Sequence, residues 1–170
     1  TAPSANLAAL REAVEALVAK LRQRLAEGRP ASARETELYS DLVNYMLYDR
    51  YQERFYQVVA AAPELSGEDD CRCGFFADFR ADFARYQVAG SRPAPGSAGE
   101  VEHLFACLFQ IRRAFHYIFR DIVGQSLATA RLRADIWQSI FTHDMKRYER
   151  SLYRRMGDIA SLVTGPSGSG

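Results

Sequence analysis

The chain contains few of the residues that build metal centres or disulfide frameworks: three cysteines, three histidines and one tryptophan among 170 residues. An odd number of cysteines does not fit the paired framework of a small secreted protein, so we expect a cytoplasmic protein. The sequence also has no apolar run of membrane-spanning length and no recognisable signal peptide. We therefore expect no membrane partner.

Excess charge of one sign is missing as well. The 22 basic and 21 acidic residues leave a net charge of +1, so no whole-chain field draws the protein to nucleic acid or an anionic membrane. What is present is apolar material, at 48% of the residues. A chain of this length and composition buries a substantial core, either as one domain or as one domain with a fragment of another.

Helical periodicity extends through almost all of the chain before residue 157. Ser4 is a suitable N-cap for a first helix, and Gly28 with Pro30 ends it. Within that segment, apolar residues recur at spacings of three and four, which predicts a single buried stripe. The stripe consists of Leu7, Leu10, Val14, Leu17, Leu21 and Leu25.

A second helix is predicted to begin at a capping box, in which Ser32 and Glu35 satisfy each other's backbone N–H groups. It continues to Ala62, where Pro63 ends it. Its expected buried side carries Leu38, Leu42, Tyr45, Gln52, Tyr56 and Val59, with aromatic flanks at Tyr39, Tyr48, Tyr51 and Phe55.

Two further helices complete the predicted fold. The third starts at about Gly74, and its stripe is Phe76, Phe79, Phe83 and Tyr86. A break rich in proline and glycine occupies residues 90–99. The fourth starts at Glu100 and is expected to bury Leu104, Leu108, Ile111, Phe115 and Phe119. Four such helices predict an all-α antiparallel bundle over residues 4–120.

The end of the sequence has a different character. Ile159, Leu162 and Val163 form a short β-prone run, and the residues that follow match the phosphate-loop pattern G-x-x-x-x-G-K-[ST] as far as its second glycine. We therefore expect the chain to be part of a longer nucleotide-binding protein, with a β-strand feeding the loop. The alternative is that the segment 165–170 is an artificial glycine-serine tail.

The I-V-G-Q-S turn at residues 122–126, a short helix after it and the V-T-G-P-S-G-S-G loop together resemble the start of the AAA+ domain of sigma-54-dependent transcriptional activators. The resemblance covers residues 121–170, with a longer connection at 142–156 than is usual in that family. It implies a regulatory bundle at 1–120 and the beginning of an ATPase domain at 121–170. It also implies a site for adenine and phosphates, formed by Ile122, Val123, Gly124, Gly165, Pro166, Ser167, Gly168, Ser169 and Gly170.

The same resemblance implies that the parent protein uses ATP and Mg²⁺, self-associates through its AAA+ region, and engages sigma-54 RNA polymerase and enhancer DNA. The bundle would sense an unknown signal ligand or partner. The loop lysine is not among these residues, so we expect the chain itself neither to hydrolyse ATP nor to bind it tightly. No catalytic residue and no metal ligand is predicted.

Two other functions stay open from the residues alone. The first is a helical module that binds a protein partner, or that binds an apolar ligand among Tyr45, Tyr48, Phe76 and Phe83. The second is zinc binding or redox sensing by Cys71, Cys73, His103 and Cys107, although Cys107 also fits a core position of its helix.

Overall fold

The computed structural model describes residues 5–28, 31–61, 73–87 and 99–141. These ranges contain five helices and no strand: α1 (Ala5–Ala26), α2 (Ala33–Ala61), α3 (Phe76–Tyr86), α4 (Glu100–Asp121) and α5 (Leu127–Phe141). The all-α class is confirmed for this part of the chain. The strand expected at Ile159 and the loop at 165–170 lie outside the described residues. Within them, no helix combines the length and apolar character needed to cross a bilayer.

The described residues divide into two compact units, one within 1–108 and the other within 109–170. The first holds α1, α2, α3 and the start of α4 up to Leu108. The second holds the rest of α4 together with α5. The domain boundary predicted at residue 120 stays a prediction.

Helix α1 packs against α2 in the antiparallel direction. Arg11, near the start of α1, pairs with Asp49 far along α2 at 2.7 Å, and Arg24, near the end of α1, pairs with Glu35 in the first turn of α2 at 2.9 Å. Gly28, two residues after the end of α1, has a φ of 69°, a conformation that favours glycine. The predicted end of this helix before Gly28 is confirmed, whereas the N-cap predicted at Ser4 lies outside the described residues.

The predicted stripe of α1 is only partly correct. Val14 and Leu21 are buried, joined by Val18, but Leu7, Leu10 and Leu17 are 44%, 48% and 40% exposed. Apolar residues occur on more than one side of α1, and α2 covers only the side that carries Val14, Val18 and Leu21.

At the start of α2, the capping box forms as predicted. The backbone N–H of Ser32 donates to a carboxylate oxygen of Glu35 at 2.9 Å, and the backbone N–H of Glu35 donates to Oγ of Ser32 at 3.2 Å. The hydrogen bonds from Ser32, and to a smaller extent the charge of Arg24, lower the pKa of Glu35 below its ordinary value. The box fixes where the helix begins.

The buried side of α2 differs from the prediction. It is a line of residues four apart, Tyr39, Val43, Leu47, Tyr51, Phe55 and Val59, of which only Val59 was expected. Three of the four residues predicted as the aromatic flank, Tyr39, Tyr51 and Phe55, are therefore in the core. Large rings remove more apolar area from water than the alternative set does, and α1 and α3 enclose them from both sides.

An aromatic cluster joins α2, the segment before α3, α3 and α4 within the first unit. Phe55 and Phe79 are both fully buried, and the ring of Phe105 lies 5.0 Å from the first and 5.1 Å from the second, edge to face in each case. Phe75 completes the cluster at 5.4 Å from Phe55. Edge-to-face pairs add about 0.5–1.5 kcal/mol each beyond the area they bury.

Helix α4 confirms part of its predicted stripe. Leu104, Leu108 and Ile111 are buried, but Phe119 is 59% exposed and Phe115 only half-buried. The residues that replace them in the core are Cys107, Ala114 and Ile118. In the second unit, Phe115 stacks on Trp137 of α5 with ring centroids 3.9 Å apart.

Candidate functional site

The segment that resembles an adenine-binding turn is a compact structure between α4 and α5. Gly124 has a φ of 136°, and a Cβ at that position would lie 2.8 Å from Oγ1 of Thr129. Both the backbone conformation and the close approach therefore require glycine. Of the two residues before it, Ile122 is half-buried and Val123 is 83% exposed.

Arg133 of α5 stabilises this turn by hydrogen bonds to its backbone. Its Nη2 donates to the carbonyl oxygens of Ile122 at 2.6 Å and Gly124 at 2.9 Å, while its guanidinium lies 5.1 Å from the ring centre of Phe119. Ser126 caps α5 by accepting a bond from the N–H of Thr129 at 3.1 Å. The turn is thus fixed by side chains and presents Val123 to solvent.

Six of the predicted site residues, Gly165 to Gly170, lie outside the described residues. Whether they approach Ile122, Val123 and Gly124 stays a prediction.

A second group of interacting side chains, which the sequence did not predict, centres on Asp82 of α3. This carboxylate is 8% exposed. It accepts hydrogen bonds from Oη of Tyr51 at 2.7 Å, from Arg50 at 2.9 Å and from Arg85 at 3.2 Å. A buried carboxylate is tolerated only when it is paired and hydrogen-bonded, and here three donors meet that need.

The network shifts the ionisation of its members. Burial opposes the charge on Asp82, but the hydrogen bonds from Tyr51 and Arg50 outweigh it and leave the pKa below its ordinary value. The pKa of Tyr51 is raised to about 12, mainly by burial and to a smaller extent by its hydrogen bond to Asp82. At neutral pH the site therefore holds an ionised Asp82 and a neutral Tyr51.

Beside this network is an open pocket of about 330 Å³ between α2 and α3, which we call the arginine pocket. Its walls carry three guanidiniums and two carboxylates. Arg54 pairs with Asp78 at 2.9 Å, next to the pairs that Arg50 and Arg85 make with Asp82. The formal charge of these five groups is +1. The lining residues are Arg50, Tyr51, Arg54, Asp78, Ala81, Asp82 and Arg85.

The arginine pocket is built on matching periodicity. Arg50 and Arg54 are one turn apart on α2, and Asp78 and Asp82 are one turn apart on α3. The pairs connect the earlier arginine to the later aspartate, so the two helices run antiparallel. This spacing is visible in the sequence and could have identified the site, as could an aspartate that interrupts an aromatic stripe.

The other candidates from the sequence fare differently. Cys107 is fully buried, as expected for a core position of its helix, and its Sγ lies 3.7 Å from Nε2 of His103. Cys73 is half-buried, and Cys71 lies outside the described residues. Within 5–28, 31–61, 73–87 and 99–141, no group of three or more His, Cys, Asp or Glu is placed to hold a metal ion.

Two of the aromatic residues proposed for an apolar ligand, Tyr45 and Phe76, have different surroundings. Tyr45 lines a pocket of about 300 Å³ whose walls mix charged side chains, such as Arg11 and Asp49, with apolar ones, such as Val14. Phe76 instead packs edge-on against Phe105, with ring centroids 5.0 Å apart.

Comparison of the chain with protein-family models, with curated proteins and with solved structures finds no match in any of the three.

The raised pKa of Tyr51 predicts a specific alkaline instability. An exposed tyrosine ionises near pH 10, so between pH 10 and about 12 the folded chain keeps a proton that the unfolded chain has lost. The free energy of unfolding should therefore fall as pH rises through this window, by on the order of 2 kcal/mol from this residue. Urea unfolding at fixed pH values from 9 to 12 measures it.

The control for this prediction is Tyr51→Phe. The variant has no phenol at residue 51 and should lose stability less steeply between pH 10 and 12 than the wild type, even though its stability at pH 7 is lower. Equal slopes for the two proteins would show that the Tyr51 proton makes no such contribution.

Proposed function

We propose that the chain is the helical regulatory region of a sigma-54-interacting transcriptional regulator, joined to the opening of its AAA+ ATPase domain. In this proposal the helices of residues 1–120 sense a signal or partner in the cytoplasm. The ATPase of the intact protein, with ATP and Mg²⁺, self-associates and acts on sigma-54 RNA polymerase at enhancer DNA. The chain by itself has no enzymatic activity in this proposal.

The observation that carries the proposal is the turn at residues 122–126. An adenine ring needs an apolar surface beside exposed backbone groups, and a turn fixed in place is a better surface than a mobile loop. Val123 is exposed, Gly124 lets the backbone of the turn pack closely against Thr129, and Arg133 fixes the carbonyl groups on either side of Val123. These features support an adenine contact at Ile122, Val123 and Gly124.

The first experiment reads the source gene beyond codon 170 and assays the intact gene product. We expect lysine at the next position, followed by serine, threonine or glutamate, and an ATPase activity in the purified intact protein. An unrelated continuation without ATPase activity would favour the alternative, a helical interaction or ligand-binding module.

A matched pair of variants tests the turn in that intact protein. Gly124→Ala forces a side chain into a backbone with φ of 136° and against Thr129, so we expect a higher KM for ATP, by about tenfold. Gln125→Ala, at the next and exposed residue, should leave KM within about twofold. Equal KM values for the two variants would contradict a nucleotide contact here.

The regulatory role has its own test. Deleting residues 1–120 from the intact protein should change either its basal ATPase rate or its response to the signal, since a regulator acts by favouring one of two states. If both stayed the same, the bundle would not be the regulator.

A further inference from the structure

Two of the three guanidiniums of the arginine pocket, those of Arg50 and Arg54, are positioned by neighbouring side chains. Arg50 is fixed by the buried carboxylate of Asp82. Arg54 lies over two rings, 5.6 Å from the centre of Tyr51 and 5.8 Å from the centre of Phe75. A planar guanidinium stacked on rings keeps its N–H edges available for in-plane acceptors.

Two of the three arginines also have partners that a ligand can displace. The pair of Arg54 and Asp78 is exposed, with 50% and 65% of the two side chains open to solvent. Arg85 is 70% exposed, and its contact with Asp82 is a long one at 3.2 Å between residues three apart. Exposed pairs of this kind add little to stability, so an anion that takes over their N–H groups disturbs the fold little.

The charge of the pocket decides the sign of the ligand. Three guanidiniums and two carboxylates leave one positive charge, while Tyr51 is neutral. Each guanidinium has five N–H donors, more than its bond to an aspartate uses. Carboxylate and phosphate groups have the paired oxygens that match this fork. A volume of about 330 Å³ is large enough for a small molecule.

We propose that the arginine pocket binds a small anion through a carboxylate or phosphate group, held by Arg54 and Arg85 above the bond between Arg50 and Asp82. Under the function proposed above, this anion is the signal that the helical region senses. The binding site itself does not depend on that function.

The binding experiment uses calorimetric titration of the complete 170-residue chain with inorganic phosphate in one arm and succinate in the other, at constant ionic strength set with chloride. We expect saturable binding in at least one arm. Binding to phosphate alone assigns the site to phosphate groups, and binding to succinate alone assigns it to carboxylates. Absence of saturable binding in both arms would overturn the proposal.

Two variants and one control locate the site. Arg54→Gln and Arg85→Gln each remove a charged donor and should weaken binding by about tenfold or more. Arg80→Gln, on the same helix as Arg85 and similarly exposed, pairs with Glu102 away from the pocket and should bind within about twofold of wild type. Equal weakening in all three variants would mean a general charge effect and would refute the site. Far-UV circular dichroism checks that each variant is folded.

The experiments distinguish a failure of the proposed anion site from a failure of the proposed function. If the probe binds as predicted but leaves the ATPase of the intact protein unchanged, the site stands and its role as signal receptor is wrong. If the intact protein has no ATPase at all, the calorimetric outcome still decides the site.

Discussion

Replacing Phe55 with alanine is expected to destabilise the first unit by about 3–5 kcal/mol. Phe55 is fully buried, and its ring contacts those of Phe75, Phe79 and Phe105. The substitution removes both the burial of a large ring and its edge-to-face contacts, and it leaves a cavity that the surrounding helices fill only in part. Urea unfolding followed by circular dichroism measures the loss.

Two variants on the same helix calibrate that number. Phe55→Leu keeps most of the volume and should lose less than half as much stability as the alanine variant. Leu38→Ala removes a side chain that is 44% exposed and should change stability by less than about 1 kcal/mol. If Phe55→Ala and Leu38→Ala had the same effect, the aromatic cluster would not be the core of this unit.

Replacing Asp82 with alanine has the second largest expected effect, a loss of about 2–4 kcal/mol at pH 7. The change leaves the hydroxyl of Tyr51, a residue only 3% exposed, without its acceptor and removes the partner that Arg50 and Arg85 share. Arg50 is half-exposed and regains water, which keeps the loss below that of a fully buried pair. The measurement is again the free energy of unfolding in urea.

The matched control is Asp78→Ala, one turn earlier on α3. Its carboxylate is 65% exposed and pairs with Arg54, so its loss should lie between about 0 and 1 kcal/mol. Asp82→Asn, which keeps an acceptor oxygen and the shape of the side chain, should fall between the two. Equal losses at residues 78 and 82 would show that burial of the network does not matter.

Acid conditions separate the charge of Asp82 from its shape. Its pKa in the folded chain lies below the ordinary value, so its contribution is complete above about pH 4 and declines as pH falls through the folded value. The wild type should therefore lose stability on acidification more steeply than Asp82→Asn. This slope complements the alkaline loss expected from Tyr51.

Of the two proposed sites, one was predicted from the sequence and the other was not. The turn at Ile122, Val123 and Gly124 was identified from a short pattern, and the structure adds the reason for its glycine and the clamp from Arg133. The arginine pocket was missed because it depends on which residues of α2 face α3. On the predicted flank of α2, Tyr51 would lie apart from Asp82.

The sequence alone predicted the end of α1, the capping box of Ser32 and Glu35, and the helical character of the residues that the structure describes. These features depend on backbone N–H groups and side chains a few residues apart, so neighbouring sequence specifies them. Which face of α2 is buried, and the placement of Asp82 among three donors, were decided only by the tertiary structure. A helix with apolar residues on several sides has no preferred side until its partners enclose one, and here the partners enclose the aromatic side.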